Sequence, residues 1–389
     1  MRKAVLLAAL VGALFLVYAG GVLAQPQTPT QKIPDRYIVV FEESVQNPAA
    51  VANEHARENG LQVRFVYTDA IEGYAAVFPN AQALQRVEND PRVAFVEQDQ
   101  EVRAVAQTVP WGIDKIDADL SSTKAGNGSG AVSSVNAYVI DTGIYYHADL
   151  NVVGHVNPSR ASGGNKDCNG HGTHVAGTVA AKDDTSYVVG VAPGVKLTGV
   201  KVLNCSGFGS WSGVAAGVDW VTRNAVKPAV ANMSLSGGAS KAVDDAVRKS
   251  AAGGVFYSIA AGNEGDNACN YSPARAGAGT NNGIMTVAAT DSSDGDPSWS
   301  NYGSCVDIWA PGVSILSTKK GGGTTTKSGT SMAAPHVAGG AALYLSANTG
   351  GTPTAVEGAL KTSAKSTANT SNDPDDQLRK ITREYVAGF

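Results

Sequence analysis

Ser331 lies in Gly329-Thr330-Ser331-Met332-Ala333-Ala334-Pro335-His336, a small-residue run that reads as the opening of a helix. A hydroxyl there sits beside backbone N–H groups without intrahelical partners, at the positive end of the helix dipole, so negative charge developing next to it is stabilised. An acyl-transfer nucleophile needs that setting, although a serine before a helix also serves as an ordinary N-cap. A base, an orienting group and an oxyanion donor must then come from elsewhere in the chain. Val139-Ile140-Asp141-Thr142-Gly143 ends an apolar run in a carboxylate and a turn, where Asp141 is either part of a site or a simple turn residue. Asn169-Gly170-His171-Gly172-Thr173-His174 brings an imidazole to a helix start, and Ala260-Ala261-Gly262-Asn263 ends a further apolar run in an amide side chain. His171 and His174 are three apart with no Glu after His171, so the metalloprotease pattern of two histidines four apart is absent.

Positioning these four residues requires elements that end together. Strand signals fall at 137–140, 196–203, 230–235, 255–260 and 284–289, with helical stretches at 174–181, 213–225 and 242–251. Short apolar strands alternating with helices predict a mostly parallel sheet covered on both faces, and in such sheets functional groups gather at the carboxyl ends of the strands. Ahead of this lies a smaller pattern. Strands at 35–41, 63–67, 73–78 and 93–96 alternate with helices at 47–59 and 81–89 in the order β-α-β-β-α-β, a ferredoxin-like unit of about seventy residues. The polar stretch from Glu97 through Arg103-Ala104-Val105-Ala106 reads as an exposed junction suited to proteolysis.

Composition narrows the class. With 43% hydrophobic and 16% charged residues in 389, the chain has material for one large globular domain and a smaller one. A net charge of −4 with no long basic run argues against nucleic-acid binding. Arg2 and Lys3, an apolar stretch from Ala4 to Val17 and the small residues up to Ala24 read as an export signal (1–24), followed by a polar linker (25–32). The mature chain is therefore expected to be extracellular and free of the membrane. Four cysteines in an exported chain favour two disulfides, with three pairings possible.

Asp141-Thr142-Gly143, His171-Gly172-Thr173-His174, Asn263 and Gly329-Thr330-Ser331-Met332-Ala333-Ala334-Pro335, in this chain order, resemble the motifs of the subtilisin-like serine proteases, within them the proteinase K-like branch. The resemblance spans most of residues 110–389. It implies an α/β fold, the subtilisin-like three-layer arrangement with a central mostly parallel sheet (106–389), preceded by a small ferredoxin-like α+β propeptide domain (33–105). It also implies a serine endopeptidase in which Ser331 is the nucleophile, His171 the base, Asp141 its orienting acid and Asn263 an oxyanion donor. His174 and His336 are assigned supporting roles.

Further expectations rest on the same resemblance. Gly207, Phe208, Gly209 and Trp211 on one side, and Ser234, Leu235, Ser236 and Gly237 on the other, form edges that clamp an extended polypeptide, while Ala260 and Gly262 help wall the pocket for the residue before the scissile bond. No charge lines these segments, so apolar or aromatic residues are the expected preference there. Ser236 replaces an expected glycine. The first domain acts as foldase and intramolecular inhibitor, removed by self-cleavage near Ala104 to Ala106. The implied disulfides are Cys168 with Cys205 and Cys269 with Cys305. No organic cofactor is implied; calcium is, through Asp307 at one site and Asp114 with Asp117 at another. A monomer is expected.

Overall fold

In the computed structural model, which describes residues 32–69, 71–100, 107–371 and 380–389, the chain divides between residues 104 and 105 into two units. The expected signal sequence and the stretch expected to be cleaved lie outside the described residues. The first unit runs β1 (Lys32–Phe41), α1 (Pro48–Asn59), β2 (Gln62–Tyr67), β3 (Gly73–Val77), α2 (Ala81–Glu88) and β4 (Val93–Gln100). Its antiparallel sheet has the order β2-β3-β1-β4. Both helices start where local chemistry dictates. The Asn47 and Asn80 side chains accept from the third N–H beyond them, and Gly60, at φ 68°, ends α1 in the left-handed conformation that glycine adopts without strain. The apolar faces of β1, β3 and both helices meet around Val39, Phe41, Tyr74, Ala83 and Val87. His55 is buried among them, bonded to the Tyr74 hydroxyl and the Asp90 carboxylate.

The second unit is built on β5 (Asn136–Asp141), β6 (Val152–Val156), α4 (His171–Ala180), β7 (Lys196–Lys201), α5 (Trp211–Asn224), β8 (Ala229–Met233), α6 (Lys241–Ala252), β10 (Val255–Ala260), β12 (Ile284–Thr290) and β13 (Ile308–Pro311), with two-residue strands β9 (Gly237–Gly238) and β11 (Tyr271–Ser272) between them. It then adds the hairpin β14 (Ile315–Thr318) and β15 (Thr324–Lys327), helices α7 (Thr330–Ala347) and α8 (Pro353–Ser363), and strands β16 (Lys365–Thr370) and β17 (Lys380–Arg383). Ahead of β5 stands the short helix α3 (Trp111–Lys115). The large sheet has the order β16-β17-β13-β12-β10-β8-β5-β7-β6; the pairs from β13 through β6 are all parallel, and β16 is antiparallel at the far edge. The central strands β8, β10 and β12 are buried along their whole length, as apolar runs without alternation require when both faces are covered.

One core layer packs α4 and α7 against the sheet, with Val175, Val179, Val337 and Leu343 inside it; the other packs α5 and α6, with Val214, Val218, Val243 and Val247. β5 has β8 on one side and β7 on the other: the chain goes from β5 to the edge strand β6, returns to β7 beside β5, and then crosses to β8 to build the other half of the sheet. Its carboxyl end is therefore the topological switch point, where an open α/β sheet leaves a crevice. Asp141 is the last residue of that strand.

Candidate active site

Asp141 is fully buried, and its two carboxylate oxygens each lie 2.9 Å from Nδ1 of His171, the first residue of α4. α4 can approach this closely because position 172 is glycine: a Cβ there would collide with the Gly143 carbonyl oxygen and stand 3.1 Å from an Asp141 oxygen. Asp167 fastens the two elements together. Its Oδ1 accepts from the Thr142 hydroxyl and from the Asn169 and Gly170 N–H groups, and its Oδ2 accepts from the Thr173 N–H and hydroxyl. The Thr142 hydroxyl in turn accepts from the Gly172 N–H. Beneath them the buried Lys201 ammonium donates to the Thr142 carbonyl at 2.8 Å, from the position paired with Asp141 across β5 and β7. Burial disfavours protonation of His171, but the charge and hydrogen bonds of Asp141 outweigh it, so the imidazole is held above its ordinary value.

Ser331 is the second residue of α7, not its cap. The cap is Gly329, whose φ of 149° belongs to glycine, and the first turn closes through the Met332 N–H on the Gly329 carbonyl. Asn263 accepts at its Oδ1 from the Thr330 N–H at 2.8 Å and the Thr330 hydroxyl at 3.0 Å. That double anchor fixes which edge of the amide carries oxygen, so the Nδ2 edge faces away from Thr330. Asn301 steadies the same turn by donating to the Ala261 carbonyl and accepting from the Glu264 N–H. Ser331 Oγ donates to the Ser234 carbonyl at 3.3 Å and not to His171, while Ser234 Oγ donates to the Ser331 carbonyl at 2.7 Å.

A cleft of about 640 Å³ opens beside His171, between the 206–211 and 234–238 segments. Gly207, Phe208, Gly209, Trp211, Ser234, Leu235, Ser236 and Gly237 all line it, whereas Ala260 and Gly262 do not. A Cβ on Gly262 would stand 3.1 Å from Ser236 Oγ, so this strand end backs onto the Ser236 turn. Trp211 passes 2.7 Å from where a Gly237 Cβ would be, which leaves no room for a side chain at 237. Disulfides join Cys168 to Cys205, beside the rim of this cleft, and Cys269 to Cys305. Sequence reasoning missed Asp167, Thr330 and Asn301. The only available signal was that each polar residue sits next to a Gly-flanked turn.

Residues 135–388 match the model of the subtilase family, and residues 36–104 that of peptidase inhibitor I9. The chain belongs to the subtilase family. It is 47% identical over 362 residues to an extracellular serine proteinase of Thermus sp. (strain Rt41A), covering 85% of each chain. It is 44% identical over 357 residues to alkaline serine exoprotease A of Vibrio alginolyticus, with 84% of this chain and 63% of that longer one covered. A solved cold-adapted subtilisin-like serine proteinase matches with a TM-score of 0.62 and 43% identity, over 71% of this chain and 97% of that one. The protein is thus a subtilisin-type serine endopeptidase with an inhibitor-type propeptide.

Two of the three acids expected to bind calcium in this subtilase are engaged otherwise. Asp307 has one oxygen on the Lys361 ammonium at 2.7 Å and the other on the Thr286 N–H at 2.8 Å. Asp117 pairs with Lys365, and Asp114 lies in α3. Among the described residues no group of three or more His, Cys, Asp or Glu side chains could hold a metal. A different carboxylate has the character of a ligand. Asp149 is 1% exposed, its Oδ1 has no hydrogen-bond partner, and burial pushes its carboxyl up to about 7. Its Oδ2 accepts from the Val188 N–H; the Lys182 and Val188 carbonyls converge on the Gln107 amide. An orphaned buried carboxylate oxygen close in the chain to these main-chain carbonyls is the kind of oxygen a calcium-type cation takes.

Proposed function

We propose that this subtilase is an exported endopeptidase of broad specificity that works through an acyl-enzyme and is made as a self-processing zymogen. The observation that carries the reading is the His171 ring clamped by both oxygens of buried Asp141 at the mouth of a peptide-sized cleft. In the reaction, Ser331 Oγ attacks the scissile carbonyl carbon as His171 Nε2 takes its proton. The leaving amine receives that proton, and water then hydrolyses the ester by the same route in reverse. Asp141 holds the ring in the required tautomer and favours the imidazolium. Asn263 Nδ2 and the first-turn N–H of Ser331 are the donors for the tetrahedral oxyanion.

The 207–209 and 234–237 segments receive the substrate as an added strand, which pairs through its backbone and so tolerates many sequences. The uncharged cleft around Leu235 and Trp211 favours an apolar or aromatic residue before the scissile bond. The first unit serves as foldase and inhibitor until it is cut off near Ala104 to Ala106. Incubating wild type and Ser331→Ala with an unfolded protein, and mapping the cuts and the mature N-terminus by mass spectrometry, tests this. Wild type should cut after apolar and aromatic residues and lose the propeptide, and Ser331→Ala should do neither. Cuts confined to Lys or Arg, or a normally processed Ser331→Ala protein, would overturn the specificity or the self-cleavage respectively.

A structural cation is assigned to Asp149 with the Lys182 and Val188 carbonyls and a turned Gln107 amide. It would offset the cost of a buried carboxylate and tie residue 107 to the 182–188 loop. Chelation should lower the melting temperature of wild type, and Asp149→Asn should be insensitive to it. An equal drop in both proteins would refute the assignment.

A further inference from the structure

The pocket under α8 holds two buried acids. Glu357 is fully buried and Asp307 is 9% exposed at the side chain. Each of their four oxygens has one donor. Lys361 Nζ serves Asp307 Oδ1 at 2.7 Å and Glu357 Oε1 at 2.6 Å, the Thr286 N–H serves Asp307 Oδ2 at 2.8 Å, and the Gly283 N–H serves Glu357 Oε2 at 2.7 Å. A turn of carbonyls lies alongside: those of Ala276, Gly277 and Ala278 all accept from the single Asn282 Nδ2, at 3.4, 3.2 and 3.4 Å. The turn and the acids share one space, because a Cβ on Gly277 would reach 3.2 Å from Asp307 Oδ2.

Two carboxylates beside a cluster of carbonyl oxygens are the donor set of a hard divalent cation. Here positive charge and N–H donors from the chain itself fill it. We propose that Lys361 is the resident cation of this pocket, its ammonium and the Asn282 amide holding the place between Asp307, Glu357 and the 276–278 carbonyls that a divalent ion would otherwise take. The arrangement is economical in charge. Buried carboxylates are tolerated only when paired and hydrogen-bonded, and a tethered ammonium meets that need without drawing an ion from solution. Lys361 is one turn from Glu357 on α8, so the helix carries its own counter-ion and is tied by it to Asp307, the residue just ahead of β13. The subtilase thus separates the stability of this region from the supply of metal, and cation dependence is confined to other sites.

The test counts calcium. Mature enzyme, inactivated with a serine-directed reagent and freed of metal by chelation, is titrated calorimetrically with calcium chloride. Wild type and Asp307→Asn should take up the same number of ions. Lys361→Met, which keeps the stem and removes the ammonium, should take up one more, and its chelator-induced fall in melting temperature should exceed that of wild type by about 3 °C or more. Loss of one bound ion in Asp307→Asn would overturn the proposal, since an ion would then already occupy the pocket of wild type. So would a Lys361→Met protein with unchanged stoichiometry and chelator response. If Lys361→Met fails to fold, the comparison of wild type with Asp307→Asn decides by itself.

Discussion

His171 is subject to two effects of opposite sign, and their balance sets the working range of the enzyme. Burial disfavours the imidazolium; the adjoining Asp141 carboxylate favours it by more, so the folded value lies above the ordinary 6.5. In the proposed mechanism the base must be neutral to accept the Ser331 proton, so activity is lost as pH falls through that raised value. The acid limb of kcat/KM, which reports the free enzyme, is expected to have its midpoint above 6.5, and Asp141→Asn should move that midpoint down while greatly reducing the rate. A wild-type midpoint below 6.5 would mean that burial wins. The same sign applies to stability from this pair: it is present in full at low pH, below the unfolded histidine value, and fades as pH rises through the raised folded one.

At the scale of elements, the site depends on the end of β10 being tied to the start of α7. Thr330 makes that tie. Its hydroxyl donates to Asn263 Oδ1 and accepts from the Gly262 N–H, and its own N–H adds a second bond to Asn263. Thr330→Val keeps the shape and the N–H while removing the hydroxyl. Losing one oxyanion donor altogether costs roughly 10²–10³ in kcat, so loosening its anchor should cost about tenfold, with KM little changed and rescue by Thr330→Ser. A Thr330→Val enzyme with unaltered kcat would show that the N–H alone orients the amide. The elements themselves were largely legible in the sequence. Unbroken apolar runs such as 255–260 and 284–289 admit little other than buried parallel strands, and Gly170-His171-Gly172 announces a helix start. The hairpin 315–327 was missed because its strands are only four residues long and lack apolar alternation, β14 holding just Ile315 and Leu316 and β15 being entirely polar. Asp167, Thr330 and Lys361 were illegible for a different reason. Each acts through partners brought in by tertiary packing, and a lone polar residue near a turn, or a lysine one turn from a glutamate, looks the same in a surface loop or helix. That is also why Asp307 read as a free ligand.

Over the whole molecule, histidines buried in neutral form make acid an enemy of the fold. Burial lowers both His174, inside α4, and His336, inside α7, to about 4. Between that value and the ordinary 6.5 the unfolded chain binds protons at these two positions that the folded one refuses, so their contribution to stability falls with pH through this window, while the buried Asp149 and Asp307 carboxyls, raised to about 7 and about 6, contribute in the opposite direction. Denaturant unfolding of the Ser331→Ala protein with Asp149→Asn and Asp307→Asn added, which removes the two opposing carboxyls, at about pH 6.5, 5.5 and 4.5 should give a midpoint that drops steadily, with about two protons taken up by these histidines near pH 5. A flat profile would mean that both accept protons in place. The two helices that carry these histidines also carry His171 and Ser331, so acid attacks the scaffold and the base together. The reciprocal bonds between Ser234 and Ser331 have a bearing on the idle enzyme. The same cleft-lining segment at Ser234 holds the Ser331 hydroxyl. Bringing that hydroxyl to His171 therefore means giving up its contact with the Ser234 carbonyl, so the resting side chain is tethered to the wall of the cleft.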